Sequence, residues 1–410
     1  MTRKSGAVIL DSQARQDVRV PKDPPQIDDH LVQSGRPPKT DGRHVNFPVE
    51  MGSTIVFDTL DAFEAARNAR FETGNLYYGR YGNEASFALE RMLAAMEGAD
   101  GVTLTSSGVA AISASLIALT KPGDHLLVGD NVYGNTRALC DTVLAPRGVA
   151  VEYFDPMVGP RFSELILENT TAVMFEAPGS GTFEVADIPA IAKAARARNV
   201  VSVFDNTWAT PIFCQPLRLG VDVVVSSGSK YLCGHSDAML GTIAAREPHN
   251  TTIRRLAMAI GDKPGSQEIF LALRGARTLG MRMAHVDAAG RRMAEWFADQ
   301  PEVKAVLHPA LKGSPGHAAW ERDFSGAAGL FGVIFHPCTD DQIRRFVDDL
   351  HHFGIGVSWG GFESLVLPVK PQRTAAPWTE DGQLVRFNIG FEDLGSLKAD
   401  LASAFRHLRA

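Results

Sequence analysis

Long apolar runs, an excess of positive charge and a secretion signal are all missing from this sequence of 410 residues. No stretch approaches the roughly 20 apolar residues that a membrane-spanning helix needs. Asp and Glu (47) outnumber Lys and Arg (41), so the chain carries no electrostatic footprint for nucleic acid. Arg3 and Lys4 precede only a short apolar run, which is too little for a signal peptide. These absences predict a cytoplasmic protein without a membrane or nucleic-acid partner.

Cysteine is scarce, and its spacing excludes two common uses. The four cysteines contain no CxxC pair, so we expect neither a disulfide framework nor a zinc site. We predict reduced, mostly buried thiols and no metal. No apolar run leads into a G-x-G-x-x-G turn either, which argues against a Rossmann dehydrogenase.

The pattern of the chain changes along its length. Residues 1 to about 45 are rich in proline and charge and are predicted to form an arm that does not fold alone. From about Gly101, short apolar runs alternate with helix-period stretches, which predicts a parallel α/β sheet. After about Met283, a long helix-like stretch and strand-like pieces predict a smaller α+β domain.

Six predicted strands form this sheet, and several are apolar throughout, as expected of strands covered on both faces. They span residues 102–105, 125–128, 149–154, 172–175, 200–204 and 221–225. Helices are predicted at 110–119, 188–198, 285–298 and 394–407, and strands of the second domain at 330–335 and 384–389.

The residues that follow each strand are the first candidates for a site, because open parallel sheets bind ligands at the carboxyl ends of their strands. The small residues at 106–109 open a helix and can form either an anion site or an ordinary N-cap. Asp205 ends another apolar run, where an unpaired carboxylate is costly. Its partner can be a protonated pyridine nitrogen, a salt bridge or a helix cap.

Lys230 follows the strand predicted at 221–225. A lysine at the end of a buried strand is poorly solvated, so its pKa should fall and its amine become nucleophilic. A surface lysine in a turn is the alternative. Ser227 and Ser229 can hold a phosphate beside it. Pyridoxal phosphate needs a lysine, an acid at its pyridine nitrogen and donors for its phosphate, so the combination predicts that cofactor.

Two further residues fit such a site. Tyr133 follows the strand predicted at 125–128 and can stack on the cofactor or pack in a turn. Arg386 lies in the predicted strand at 384–389 and can bind an α-carboxylate or form a surface ion pair.

From about Phe47 to its C-terminus, the chain resembles the cysteine/methionine-metabolism family of pyridoxal-phosphate enzymes. The resemblance is carried by residues 77–82 (YYGRYG), 107–109 (SGV), 229–237 (SKYLCGHSD) and 358–364 (SWGGFES), together with Tyr133, Asp205 and Arg386.

The resemblance implies a role for each matched residue. Lys230 carries the cofactor as a Schiff base, Asp205 binds the pyridine nitrogen and Tyr133 stacks on the ring. The expected phosphate ligands are Ser107, Gly108, Val109, Ser227 and Ser229, joined by Tyr78 and Arg80 from a neighbouring subunit. Arg386, Ser358 and Trp359 surround the substrate, and Lys230, Tyr133 and Tyr78 are the expected catalytic residues.

The resemblance also implies a fold and an assembly. The expected fold is the fold-type-I architecture of PLP-dependent transferases, an α/β fold with a mostly parallel seven-stranded sheet in its large domain. The expected divisions are an N-terminal arm and intersubunit segment (1–82), a cofactor-binding large domain (83–276) and an α+β small domain (277–410). The expected assembly is a homodimer with shared active sites, two of which form a tetramer.

Within the family, the chain resembles the bacterial cystathionine β-lyases, since Trp359 stands where γ-acting members usually carry leucine. This implies a carbon–sulfur lyase that splits L-cystathionine by α,β-elimination into homocysteine, pyruvate and ammonia. Such a step belongs to transsulfuration and methionine biosynthesis. Tyr81 and Val357 depart from a close β-lyase pattern, which has arginine and tyrosine there. Both positions border the substrate, so the preference for cystathionine over smaller thioethers stays open.

Three alternatives remain at this point. A desulfhydrase would act on cysteine or cystine. A γ-lyase for cystathionine or methionine, or a γ-synthase, would use the same lysine for a second proton removal. A binding protein that kept the fold and lost turnover is disfavoured, because Lys230, Asp205, Tyr133 and Arg386 are all present.

Overall fold

The computed structural model describes residues 27–37 and 44–409 and contains two separate β-sheets. The first sheet consists of β1 (Gly101–Thr105), β2 (His125–Gly129), β3 (Ala150–Phe154), β4 (Thr170–Glu176), β5 (Val201–Asp205), β6 (Val223–Ser227) and β7 (Gly241–Ala245). Its spatial order is β1-β7-β6-β5-β4-β2-β3, and β7 lies antiparallel between β1 and β6 while the other neighbours pair in parallel. The predicted seven-stranded, mostly parallel sheet is therefore confirmed.

Helices cover both faces of this sheet, which is why its central strands are apolar. Every residue of β2 is buried, whereas the edge strand β3 alternates between exposed and half-buried positions before Phe154. The helices up to the second sheet are α1 (Ile27–Gln33), α2 (Leu60–Asn68), α3 (Glu84–Glu97), α4 (Gly108–Leu119), α5 (Gly134–Leu139), α6 (Ile188–Ala197), α7 (Thr210–Phe213), α8 (His249–Ala259), α9 (Ser266–Ala276) and α10 (Leu279–Ala298).

The second sheet has its own core, built largely from phenylalanine side chains. Its strands are β8 (Val303–Leu307), β9 (Leu330–Phe335), β10 (Gly354–Ile355), β11 (Leu365–Pro368) and β12 (Gln383–Asn388), in the order β10-β11-β12-β9-β8. The helices α11 (His317–Asp323), α12 (Asp340–Asp348) and α13 (Leu394–Ala404) complete this region. Phe346 and Phe405 stack with their ring centroids 5.7 Å apart, and Phe297 packs edge-on against both Phe331 and Phe405. The predicted smaller α+β unit is confirmed, while the domain bounds remain a prediction.

The predicted strands of the first sheet are all present, with ends within two residues of those expected. The prediction missed β7, which is a short run of small residues. It also missed α1, which falls within the predicted arm. Leu31 of α1 is buried, and Arg277 donates hydrogen bonds to the carbonyls of Leu31 and Ser34, so this part of the arm packs against the large sheet's helices. The rest of the predicted arm lies outside the described residues, apart from positions 34–37 and the last two.

Two features of the described residues bear on the predictions about thiols and membrane spans. All four cysteines are free thiols, three of them buried and Cys338 half-buried. In the described part of the chain, none of the helices combines the length and hydropathy that a membrane span requires.

Asp130, just after β2, joins the two sheets through a buried ionic network. Its carboxylate accepts hydrogen bonds from the main-chain N–H groups of Thr374, Ala375 and Ala376, which lie between β11 and β12. Arg137 also donates to it. These hydrogen bonds outweigh burial and hold the pKa of Asp130 below its usual value. The carboxylate therefore stabilises the fold at neutral pH, and this contribution is lost as the pH falls through its lowered pKa.

Replacing Asp130 by Asn should lower the free energy of unfolding by about 3 kcal/mol, because Arg137 is left buried beside a neutral group. Urea denaturation at pH 7 measures this loss. Asp341→Asn is the matched control, because Asp341 forms an exposed ion pair with Arg345 and should change stability by at most about 0.5 kcal/mol. Equal effects of the two substitutions would contradict the role given to Asp130.

Candidate active site

The carboxyl ends of three neighbouring parallel strands form the floor of the candidate site. Glu176 ends β4, Asp205 ends β5 and Ser227 ends β6. Glu176 and Asp205 are register partners, as are Asp205 and Val225. Parallel register thus brings these polar ends together, as expected for an open α/β sheet.

Asp205 is held by the residue two positions further along. Its Oδ1 accepts hydrogen bonds from the main-chain N–H of Thr207, at 2.9 Å, and from the Thr207 hydroxyl. That hydroxyl in turn accepts a hydrogen bond of 2.8 Å from the main-chain N–H of Ser227. Burial raises the pKa of Asp205, whereas the bonds from Thr207 lower it. Within the described residues no ion pair involves Asp205, so a fixed carboxyl stands ready for a cationic partner.

Lys230 lies in the turn after β6 and points toward the second sheet. Its Nζ donates a 2.7 Å hydrogen bond to the Ser358 hydroxyl and lies 5.6 Å from the centre of the Trp359 ring. Burial, and to a lesser extent the charge of Arg386, lowers the pKa of Lys230 to about 8. About a tenth of this amine is therefore neutral, and nucleophilic, at pH 7, and the neutral fraction rises with pH.

The loop between β1 and α4 packs against the end of β6. The Ser107 hydroxyl caps α4 by accepting a hydrogen bond of 3.1 Å from the Ala110 N–H. A side chain on Gly108 would bring its Cβ to 2.6 Å from the Cβ of Ser227, so only glycine permits this approach. Val109 follows in the first turn of α4. The predicted N-cap is therefore present and lies next to Ser227, whereas the anion site at this helix end stays a prediction.

Ser229 is engaged elsewhere. Its hydroxyl accepts a 2.9 Å hydrogen bond from the Leu240 N–H, just before β7. This contact ties the turn that carries Lys230 to the neighbouring strand. The predicted role of Ser229 as a phosphate ligand stays a prediction.

Tyr133 and Arg386 approach the site from opposite sides. Tyr133 precedes α5, its side chain is 40% exposed, and its hydroxyl accepts a hydrogen bond from Asn135. Arg386 lies on β12 and donates to three successive carbonyls, of which Val357 is the nearest at 2.8 Å. Burial lowers the pKa of Arg386, although the neighbouring Tyr133 raises it. Arg386 thereby fixes the loop that presents Ser358 to Lys230.

Tyr78 and Arg80 are the predicted site residues that the structure does not bring to Lys230. Tyr78 is 41% exposed. The Arg80 guanidinium stacks over the Tyr81 ring and donates to the Met258 carbonyl and the Tyr81 hydroxyl. That Tyr78 and Arg80 bind the cofactor phosphate of a neighbouring subunit stays a prediction.

Sequence reasoning missed two residues of the site. Thr207 joins the ends of β5 and β6, and Glu176 lies beside Asp205. A signal for Glu176 existed, because it directly follows an apolar run. Asp205 stands in the same position after its own apolar run, so the reasoning that found Asp205 applies equally to Glu176.

Comparison with known proteins identifies the family. Residues 28–406 match the model of the Cys/Met metabolism PLP-dependent enzymes. This chain belongs to that family.

The relatives cover nearly the whole chain. Cystathionine beta-lyase of Salmonella typhimurium (strain LT2) is 37% identical over 392 residues, which are 93% of this chain and 99% of that protein. The L-alanine/L-glutamate racemase of Wolbachia pipientis wMel is 34% identical over 390 residues, 92% of this chain and 96% of that protein. The crystal structure of metB from Corynebacterium glutamicum superposes with a TM-score of 0.84 at 30% identity and covers 94% of this chain and 100% of that one. The expected fold-type-I architecture is confirmed.

The residues present fit pyridoxal phosphate, the cofactor of this family. Asp205 offers a fixed carboxyl without a cation, Lys230 offers an amine with a lowered pKa, and α4 offers free N–H groups at a glycine-lined loop. These are the three groups that the cofactor requires.

Replacing Lys230 by Ala should abolish both the yellow absorbance of the purified protein and its turnover, because no other amine in the described site can form the Schiff base. An absorbance spectrum of the purified variant measures this. Lys370→Ala is the control, since that side chain is 85% exposed. A yellow, fully active Lys230→Ala variant would overturn the assignment of Lys230.

Proposed function

We propose that this chain is a cystathionine β-lyase, which splits L-cystathionine by α,β-elimination into homocysteine, pyruvate and ammonia. The observation that carries the proposal is the Lys230 amine, poised between the Ser358 hydroxyl at 2.7 Å and the Trp359 ring at 5.6 Å. The name of the Salmonella relative supports the substrate.

The residues that would hold the cofactor follow from the site. Asp205 would pair with the pyridine nitrogen, and Tyr133 would cover the ring. The α4 loop of Ser107, Gly108 and Val109, with Ser227, would bind the phosphate. When bound, the cofactor supplies the electron sink for the charge that develops at the substrate Cα.

Proton transfer is the task of the chain's own side chains. The neutral Nζ of Lys230 removes the α-proton, which its pKa of about 8 permits near neutral pH. The leaving sulfur then receives a proton from Lys230 or from the Tyr133 hydroxyl. Ser358 orients the Lys230 amine through its hydrogen bond. Arg386 binds the substrate carboxylate, since a guanidinium can donate two parallel hydrogen bonds.

Trp359 favours β-cleavage over the γ-chemistry of other family members. Its ring lies against Tyr231, with centroids 5.5 Å apart, and beside the Lys230 amine. A bulky ring there limits the space in which Nζ can travel from Cα to the neighbouring Cβ. γ-Elimination needs that second proton removal, whereas β-elimination does not. Racemisation, the activity named for the Wolbachia relative, needs no bond to Cβ or sulfur to break, but it needs a proton delivered to the face of Cα opposite the one that lost it.

With cystathionine as substrate, we expect pyruvate as the keto product, measured by coupled lactate dehydrogenase and by mass spectrometry. Trp359→Leu should raise the share of 2-oxobutyrate several-fold, whereas Trp359→Phe, the matched control, should keep pyruvate dominant. A wild-type enzyme that yields mainly 2-oxobutyrate would establish γ-cleavage. Release of pyruvate from cysteine or cystine alone would establish a desulfhydrase, and interconversion of alanine enantiomers alone a racemase.

We also propose that the chain works as a homo-oligomer in the cytoplasm, with a dimer as the unit of shared active sites and a tetramer as the full assembly. The segment after residue 44 supports this, because it exposes several apolar side chains that a monomer would leave in water. Met51 is 82% exposed and Val56 89%. Tyr78, at 41%, belongs to the same exposed set.

Replacing Arg80 by Ala should weaken binding of pyridoxal phosphate at least about tenfold, because a charge-assisted contact from the neighbouring subunit is lost. Equilibrium dialysis of the apoprotein measures this, with light scattering to confirm an unchanged mass. Arg147→Ala, at an exposed turn, is the control. Unchanged cofactor affinity in Arg80→Ala would count against a shared site.

A further inference from the structure

Glu176 is a buried carboxyl that the reaction above does not use. It ends β4, is 6% exposed, and is the register partner of Asp205 on β5. Register partners on parallel strands point to the same face of the sheet, about 4.8 Å apart. The two carboxyls therefore stand side by side at the floor of the site.

One of the hydrogen bonds that Glu176 accepts comes from Tyr133. Its Oε2 accepts a 2.9 Å hydrogen bond from the Tyr133 main-chain N–H. Tyr133 is the N-cap residue of α5, but its side chain makes no capping hydrogen bond. The bond to Glu176 therefore fixes the main chain from which the Tyr133 ring projects. Glu176 thus contacts Tyr133, which would cover the cofactor, and lies beside Asp205, which would pair with the cofactor's pyridine nitrogen.

Burial, and then the charge of Asp205, raises the pKa of Glu176 to about 8, although hydrogen bonds from Ser180 and Tyr133 act the other way. The titratable and charged groups on the elements around it are Asp205 on β5, Tyr133 before α5, and Asp130 after β2. Asp130 faces Arg137 and Arg373 instead. The buried Glu176 carboxyl and its half-buried neighbour Asp205 cannot both ionise cheaply side by side, so the pair titrates as a unit.

We propose that Glu176 is a positioning residue that holds the single proton of this carboxyl pair, anchoring Tyr133 as a neutral acceptor and leaving Asp205 as the one anion opposite the cofactor's pyridine nitrogen. This inference rests on the cofactor site proposed above. It matches charges: one negative charge on the pair meets one positive charge on a protonated pyridine. Two carboxylates would bury an excess charge.

The proposal predicts how the stability of the apoprotein depends on pH. A carboxyl whose folded pKa is raised keeps its proton between its ordinary pKa, near 4.5, and about 8, whereas the unfolded chain releases it. Glu176 therefore stabilises the fold fully below that window, and the contribution is lost as the pH rises through it.

The test compares apoproteins by urea denaturation from pH 5 to 8 and by the dissociation constant of pyridoxal phosphate at pH 7. In Glu176→Gln, the free energy of unfolding should fall less steeply with pH, and the change in slope should correspond to about one proton. The dissociation constant should stay within about twofold of the wild-type value, because the amide is neutral and still accepts the hydrogen bond from Tyr133. Glu176→Ala should weaken cofactor binding about tenfold or more, because the Tyr133 N–H loses its acceptor.

Glu97→Gln is the matched control. Glu97 is likewise buried, with a pKa raised to about 8 by burial alone. Its substitution should flatten the decline of stability similarly. The effect of Glu97→Gln should be unchanged in an Asp205→Asn background, whereas the effect of Glu176→Gln should shrink there, because the repelling charge is gone.

Two results would overturn the proposal. The first is a free energy of unfolding in Glu176→Gln that depends on pH as it does in wild type. The second is a tenfold loss of cofactor affinity in that variant at pH 7, which would mean that Glu176 acts as an anion. Should Glu176→Gln not fold, the infrared carbonyl band of a protonated carboxyl, followed from pH 5 to 9 in wild type and Asp205→Asn, decides the same point. Failure of wild type to bind pyridoxal phosphate would instead sink the cofactor site.

Discussion

Parallel pairing of β4, β5 and β6 determines where the polar groups at the floor of the site lie. In a parallel sheet all carboxyl ends face one edge, and the next residues must leave the sheet there. Glu176, Asp205 and Ser227 are the last residues of these strands, so one register sets their mutual position. A slip of one residue would turn all of them to the opposite face. The apolar runs that bury these strands therefore also align the chemistry at their ends.

Burial then changes what these polar groups do. At the edge of a covered sheet, a charge loses much of its water, so a carboxyl gains protons and an amine loses them. Lys230 shows the second effect and Glu176 the first. Both pKa values come to about 8 from opposite directions, so near neutral pH the Glu176 carboxyl keeps its proton, while the Lys230 amine loses its proton far more readily than an ordinary lysine does. The second sheet adds to this effect, because Arg386 and the Ser358 loop close over Lys230.

The sheet and the proposed cofactor residues could be predicted from the sequence for the same reason. A covered strand must be apolar, and a polar residue at its end is then conspicuous; Asp205 and Lys230 were found in this way. The antiparallel β7 was missed because Gly241–Ala245 is short and made of small residues, which fit any environment. Glu176 directly follows an apolar run as Asp205 does, so the same signal was present for both carboxyls. The engagement of the Ser229 hydroxyl with Leu240 depends on a neighbouring strand, which no local pattern could reveal.

The loop that presents the Trp359 ring is also held by contacts that do not involve that ring. Gly360 adopts φ +81°, and a side chain there would bring its Cβ to 3.0 Å from the Tyr231 nitrogen, so glycine fixes the turn. Asn388 of β12 accepts from the Gly360 N–H and donates to the Glu363 carbonyl, which ties both sides of the turn to the second sheet. Arg386 secures the residues before it. Because main-chain contacts hold this loop, a change of side chain at position 359 alters the space beside Lys230 without moving Ser358. The fold therefore separates the position of Lys230, the proposed base, from the space in which its amine can move, and a change at position 359 can shift the proposed β-selectivity while Lys230 stays in place.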